Sequence, residues 1–375
     1  MEKCLQENSP VSQLDWYYQH QREANQRLLD SGKPAVAVTS NTVPSELIRA
    51  AGLVQIMLGD FGVSDKPGAQ WLEPVFERRI RQIFDFIAGG HLDQSSRIII
   101  PRTSEQEYKM FLYLTEITRQ GDLPLCKPYL YNLLHTQSKN SETYGLEQTL
   151  ALWRYLKELG NTHAADDELR ASIRLGNKTR EAIRSLCDLR AKTQLSGVDA
   201  MRLIGAWRFV EPSEYTRLVT AAVQDLSAAP ALGGPRLLIK GLPLDNVNLH
   251  RSLEAQGAVV VAEDDWWGSR AAGEDINEAG DPLEAIFEKY YRHEPSPRLF
   301  PPEVADQWFL DHLMDVDAIV FYVPPEDDVF GWDYPRFVQA VEAKRLPHLL
   351  IDEEVHGGVS AAMDERIAHF VTKLK

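Results

Sequence analysis

Three cysteines in 375 residues, Cys4, Cys126 and Cys187, are too few and too scattered for a disulfide framework or a compact thiolate ligand set. The expected role of Cys126 and Cys187 is that of buried free thiols in a reducing compartment. Basic charge is also short. Forty Lys and Arg face 55 Asp and Glu, a net charge of -15, and no basic block interrupts the acidic background. That balance argues against nucleic acid and against an anionic membrane surface as partners. No segment approaches the roughly 18 consecutive apolar residues of a membrane span. The opening "MEKCLQENSPVSQLDWYYQHQREANQRLL" lacks the basic start and apolar centre of a signal peptide, so a cytoplasmic protein is expected. GxGxxG after a strand, GxxxxGK[ST], HExxH and GxSxG are all absent.

What is present is an alternation of short β-branched runs with long amphipathic stretches. "AVAVT" (35–39), "VQIMLG" (54–59), "RIIIP" (97–101) and "KPYLYNLLH" alternate with helical patterns up to about residue 165. Among these, "PSELIRAAG" carries Pro44 near its start and Gly52 at its stop. The segment "WLEPVFERRIRQIFDFIAGG" reads as a helix from near Pro74 to Gly89. From Asp166 to Leu226 no strand is expected, and "DELRASIRLGNKTREAIRSLCDLRAKT" reads as one long helix with Gly176 inside it. "SAAPALGGP" (227–235) reads as a linker. Beyond it, "RLLIKG", "AVVVAED", "AIVFYVP" and "HLLIDEE" are strands, with helices around 246–256, 282–293, 302–316, 334–346 and 360–374. Strand, crossover helix, strand is the grammar of a parallel sheet covered on both faces. The expected fold is α/β: two parallel-sheet lobes, Rossmann-like or flavodoxin-like, with a helical segment between them. The divisions are an N-terminal helical segment (1–30), a first lobe (31–165), a helical region (166–230) and a second lobe (231–375).

Open α/β sheets bind ligands beyond the carboxyl ends of their strands. In the first lobe those positions hold Ser40–Asn41–Thr42, Gly59–Asp60 and Arg102–Thr103–Ser104. In the second they hold Gly241, "EDDWWGSR" (263–270), "PPEDD" (324–328) and "DEEVHGG" (352–358). Backbone N–H groups after Thr42 could hold an anion or a carbonyl oxygen, or Ser40 or Thr42 could simply cap the helix. Trp266 and Trp267 could form a flat ligand wall with Arg270 as its cation. Alternatively, they seal the lobe interface while Arg270 ties to Asp264 or Asp265. The acids Asp264, Asp265, Glu326, Asp327, Asp328, Asp352, Glu353 and Glu354 could converge on a hard cation such as magnesium, or form a solvated rim. No histidine spacing declares a triad.

The ordered segments "GKPAVAVTSNTVPSELIRAAGLVQIMLG", "RIIIPRTSEQEYKMF", "DELRASIRLGNKTREAIRSL", "PRLLIKGLPLD", "GAVVVAEDDWWGSRAAGED" and "LPHLLIDEE…DERIAHFV" resemble the 2-hydroxyacyl-CoA dehydratase and benzoyl-CoA reductase family, from about Trp16 to Lys375. The resemblance implies paired, related subunits built of α/β lobes. It also implies a 4Fe–4S cluster held by three cysteines per subunit and an ATP-driven iron–sulfur activator. Ketyl radical chemistry on a CoA thioester then eliminates water or reduces an aromatic ring. At the positions matching the family cysteines this chain carries Ser40, Ser104 ("PRTSEQ") and, near "PPEDD", Asp327; Trp266 stands where a further cysteine sometimes precedes the Trp-Gly turn. Hydroxyls and a carboxylate are hard substitutes for the thiolates that hold such clusters. The resemblance therefore implies no cofactor on this chain, with any iron–sulfur cluster in a homologous cysteine-bearing partner.

Two outcomes are open. The chain completes the CoA-thioester cleft of a heterodimer, or it runs non-redox lyase, hydratase or hydrolase chemistry in the vacated pocket. In the second case, Ser40, Asn41, Ser104 and Asp327 are the catalytic candidates, with Asn41 or a backbone N–H stabilising an oxyanion. Thr42, Arg102, Trp266, Trp267 and Arg270 are the candidates for binding substrate or CoA, with Arg49 a further cation by position. A purely structural or regulatory subunit with a collapsed cleft is the alternative from another class.

Overall fold

The computed structural model describes residues 9–59, 61–62, 66–92, 97–125, 127–136, 138–327 and 329–375; Cys4, Cys126, Asp60 and Asp328 lie outside them. The first sheet contains β1 (Ala35–Val38), β2 (Val54–Met57), β3 (Arg97–Pro101) and β4 (Tyr129–Tyr131). The second contains β5 (Arg236–Gly241), β6 (Val259–Glu263), β7 (Ala318–Tyr322) and β8 (His348–Ile351). Every pairing is parallel. The orders are β2-β1-β3-β4 and β6-β5-β7-β8, so the two lobes share one topology without sharing a sequence repeat.

Period-two alternation divides each sheet between two cores, as expected for strands covered on both faces. In β1, Val36 and Val38 join one cluster and Ala37 the other. In β5, Leu237 and Ile239 lie on one face and Leu238 on its opposite. The crossover helices follow suit. α3 (Ser45–Ala50) buries Leu47 and Ile48 on the first face, whereas α4 (Arg78–Ala88) and α5 (Glu105–Gln120) bury Ile83 and Met110 on the second. α4 begins at Arg78, later than the Pro74 start read from the sequence. The preceding stretch turns instead, and the Glu77 N–H is held by Gln106 Oε1 at 2.6 Å.

The long middle helix, here α7 (Asp166–Ala191), follows α6 (Lys139–Leu159) and precedes α8 (Gly197–Gly205) and α9 (Pro212–Leu226). The N-terminal α1 (Pro10–Gln19) packs on α8 and α9, while α2 (Gln21–Leu29) packs on β2. α10 (Asn248–Ala255) follows β5. The connection from β6 to β7 is long. Its helix α11 (Pro282–Arg292) leaves the second sheet and docks on α6 and α7, where Gly145 makes room for Phe287 (an added Cβ would meet the ring at 2.8 Å). α12 (Pro302–His312), α13 (Phe330–Ala343) and α14 (Ala361–Leu374) complete the chain. Among the described residues no helix is long and apolar enough to cross a membrane.

α7 touches both lobes. Arg180 on it reaches Glu46 of α3 at 2.9 Å, and Arg190 reaches both oxygens of Glu263 at the end of β6 and the Val260 carbonyl at 2.7 Å. His250 of α10 adds a third bond to Glu263. Arg190 and Glu263 are fully buried. Burial alone would raise the Glu263 pKa, but Arg190 and His250 hold it down at about 2. Removing one partner of such a pair strands the other charge. Arg190→Met is therefore expected to cost about 3–5 kcal/mol in urea unfolding, and a cost near zero would contradict this role.

Candidate functional site

In a sheet ordered 2-1-3-4, crossovers leave β1 and β3 on opposite faces, opening a crevice at their carboxyl ends. The same holds between β5 and β7. The structure sets these two crevices mouth to mouth around one cleft of about 830 Å³, open to solvent. Ser40 (after β1), Ser104 (after β3) and Asp327 (after β7) all line it, and Trp266 forms part of its wall. Leu242 and Pro243 enter from β5. Gly241, at φ 155°, presses against the Tyr322 backbone, and the Leu242 N–H bonds the Tyr322 carbonyl at 3.1 Å. Only a residue without Cβ fits there.

An oxygen at each of the three positions is engaged. Ser40 Oγ lies 2.7 Å from Thr103 Oγ1, which in turn lies 2.6 Å from Thr42 Oγ1. Ser104 caps α5, accepting from the Glu107 N–H at 3.1 Å. Asp327 Oδ1 accepts from the N–H groups of Val329 and Phe330 at 2.9 and 3.1 Å. Neither Ser40 nor Thr42 caps α3. Its N-cap is Pro44, and Tyr290 OH accepts the Ser45 N–H at 3.2 Å.

Other sequence candidates lie elsewhere. Asn41 turns away from the cleft and donates to Glu294 Oε1 (2.6 Å) and the Pro295 carbonyl (2.8 Å), beside the buried Glu46–Arg180 pair. Thr42 is buried behind Thr103. Arg102 pairs with Glu105 at 2.8 Å and lies over Tyr108. Trp267 is fully buried against Phe209 and Arg208. Arg270 is held by Asp264 at 3.0 Å, in an adjoining pocket that shares Trp266 and Pro243 with the cleft. Arg49 sits beside Glu46, with its guanidinium on Ser45 and the Ser172 carbonyl.

Among the described residues the acids do not gather at one point. Glu326, Asp327 and Glu354 reach the cleft; Asp264 pairs with Lys240 and Arg270, Asp352 with Arg366, and Glu353 with Ser360. Asp265 holds the Trp-Trp-Gly turn through the N–H groups of Trp267 and Gly268, both at 2.7 Å, and burial pushes its pKa up to about 7. Cys187 is part-buried, its Sγ 3.8 Å from the Ser269 carbonyl, and burial pushes the thiol up to about 12.

Arg79, Glu107 and His356 line the cleft and Asp245 bonds His356, and none of them was named as a site candidate from the sequence. Arg79 of α4 donates to the carbonyls of Thr39 and Leu58, lies 3.9 Å from Asp245 and sits over the Trp266 ring. Asp245 and Glu354 grip opposite nitrogens of His356, the latter at 2.8 Å. Glu107, buried, accepts from Thr39 Oγ1 at 2.7 Å. For Glu107 a signal existed: "SEQE" (104–107) has the spacing of a capping box. His356 lay within the strand-end run "DEEVHGG", but no histidine spacing declared its role.

The class defined by this geometry is a pair of doubly wound parallel lobes that share one cleft at their switch points. The chain belongs to the family described as 2-hydroxyglutaryl-CoA dehydratase, D-component, which matches residues 41–374. It is 22% identical over 339 residues to the (R)-2-hydroxyglutaryl-CoA dehydratase subunit beta of Acidaminococcus fermentans, covering 85% of this chain and 87% of that one. It is 21% identical over 367 residues to a benzoyl-CoA reductase subunit of Thauera aromatica, covering 92% of each. A putative dehydratase subunit of Escherichia coli is 26% identical over 282 residues, 70% of each chain.

The Asp245–His356 pair makes a pH signature. Burial works against the imidazolium, but Asp245 and Glu354 outweigh it and lift the His356 pKa from 6.5 to about 10. A raised folded-state pKa stabilises fully below the unfolded value, and that contribution fades as pH climbs from 6.5 to 10. Thermal melts across this window should show a decline that His356→Gln flattens; parallel curves would contradict it.

Proposed function

We propose that this chain is a cluster-free subunit of a heteromeric enzyme that processes acyl-CoA, and that its switch-point cleft contributes to the CoA-thioester site. The observation that carries this reading is the meeting of Ser40, Ser104 and Asp327 in one cleft of a chain with this family membership. Relatives named as subunits of a dehydratase and a reductase support a related partner.

The donor set does not fit a thiolate-held iron–sulfur cluster. All three donors are hard oxygens, already bonded to Thr103, the Glu107 N–H and the α13 N-terminus. The remaining described thiol, Cys187, is held protonated by burial beside Ser269, and Ser269 does not line the cleft. The cleft's own groups suit a polarised thioester. Hydroxyls at Ser40 and Ser104 can meet its carbonyl oxygen, the Trp266 ring offers an apolar wall, and Arg78, Arg79 and His356 are cations lining the cleft for an anionic ligand.

Calorimetric titration of coenzyme A and acetyl-CoA into the complex of this chain with its native partner tests the proposal. Saturable binding is expected, weakened about tenfold (roughly 1.4 kcal/mol) by Trp266→Ala. No binding to either the complex or the chain alone would leave the structural-subunit reading in its place.

A further inference from the structure

The serine and glutamate of "SEQE" stand three apart at the start of α5, where each would ordinarily satisfy the other's backbone N–H. Half of that exchange forms: Ser104 Oγ accepts the Glu107 N–H at 3.1 Å. The other half does not. Glu107 turns its carboxyl away from its own helix and toward the end of β1, where Thr39 Oγ1 donates to it at 2.7 Å.

This diversion is costly. An exposed capping interaction is replaced by a carboxyl only 3% exposed in the cleft wall. The surroundings are mostly hydroxyls. Thr39 bonds it at 2.7 Å, Ser40 and Thr103 also hydrogen-bond the carboxyl and pair with each other, and both of these line the cleft. The facing cation is Arg79 of α4, whose Nη2 is committed to two backbone carbonyls. Across the cleft, the charged groups of the second lobe are Glu326, Asp327 and the Asp245–His356–Glu354 cluster.

We propose that Glu107 is a proton reservoir for the ligand bound in this cleft, exchanging its proton through the Ser40 hydroxyl. The inference rests on the thioester reading of the cleft. In the forward direction Ser40 gives its hydroxyl proton to the ligand's oxygen and takes the proton of the Glu107 carboxyl. Glu107 is left as a carboxylate facing Arg79 and the Thr39 hydroxyl; reversal restores both groups, so no other reactant is consumed. Burial raises the Glu107 pKa, against the opposing pull of Arg79 and the three hydroxyls, and so favours the protonated form that the relay needs.

Infrared difference spectra of the intact chain, wild type minus Glu107→Gln, test this without any ligand. The expected result is a protonated-carboxyl band that titrates above an exposed glutamate (about 4.3) and shifts in frequency in Ser40→Ala. A band titrating at or below that value, or one that Ser40→Ala leaves in place, overturns the proposal. Thr39→Val gives a second assignment should Glu107→Gln fail to fold: removing that donor should raise the midpoint further, and an unmoved midpoint counts against the relay. Acetyl-CoA added to the complex should move the same band. Binding without movement overturns the role of Glu107 and leaves the thioester reading standing. Absence of binding defeats the thioester reading, while the ligand-free titration still decides the assignment of Glu107.

Discussion

Two buried arginines on a single helix keep the lobes in register. Arg180 and Arg190 are ten residues apart on α7, about 15 Å along its axis. One grips Glu46 beneath the first lobe and the other grips Glu263 at the end of β6 in the second. Burial favours protonation of both carboxyls, yet Arg180 with Arg49, and Arg190 with His250, hold them ionised. Buried ion pairs are weak sources of net stability but strong selectors of one geometry when each end would otherwise be stranded. The geometry selected here places the β1/β3 crevice opposite the β5/β7 crevice, and the cleft depends on that.

The same logic explains how an acidic chain builds a cleft of mixed charge. Most carboxylates that reach the cleft are answered locally. Arg78 and Arg81 lie 3.8 and 3.9 Å from Glu354 and Glu326, and Asp245 and Glu354 share His356. Glu107 differs in kind, because hydroxyls bond it while its facing cation, Arg79, is committed to backbone carbonyls. Where the family resemblance places soft sulfur donors, this chain places oxygens that are already part of loop and helix-cap hydrogen bonding.

Much of the fold was legible because its signals are local. Apolar runs marked six of the eight described strands to within a residue or two at each end, and the absence of such runs between Asp166 and Leu226 marked the helical region. The strand-end rule likewise pointed to Ser40, Ser104 and Asp327, which line one cleft. It could not say which way neighbouring side chains turn. Ser40 faces the cleft while Asn41 bonds Glu294, 253 positions away, because the backbone between them changes face. Trp266 and Trp267 divide in the same manner, one in the wall and one in the helical core. The diversion of Glu107 depends on Thr39, 68 positions earlier, and the docking of α11 on α6 depends on a glycine in another lobe. Local pattern carries no information about such contacts.

The central claim is that oxygen donors stand in this cleft where sulfur would hold a metal cluster, and that the cleft still serves an acyl-CoA. An experimental structure of the anaerobically purified native complex with acetyl-CoA bound tests it most directly. The account predicts the thioester carbonyl within hydrogen-bond distance of Ser40 or Ser104, beside Trp266, with no iron–sulfur cluster ligated by this chain. A cluster coordinated by this chain's own side chains, or a thioester bound away from the crevice between β1 and β3, would contradict it.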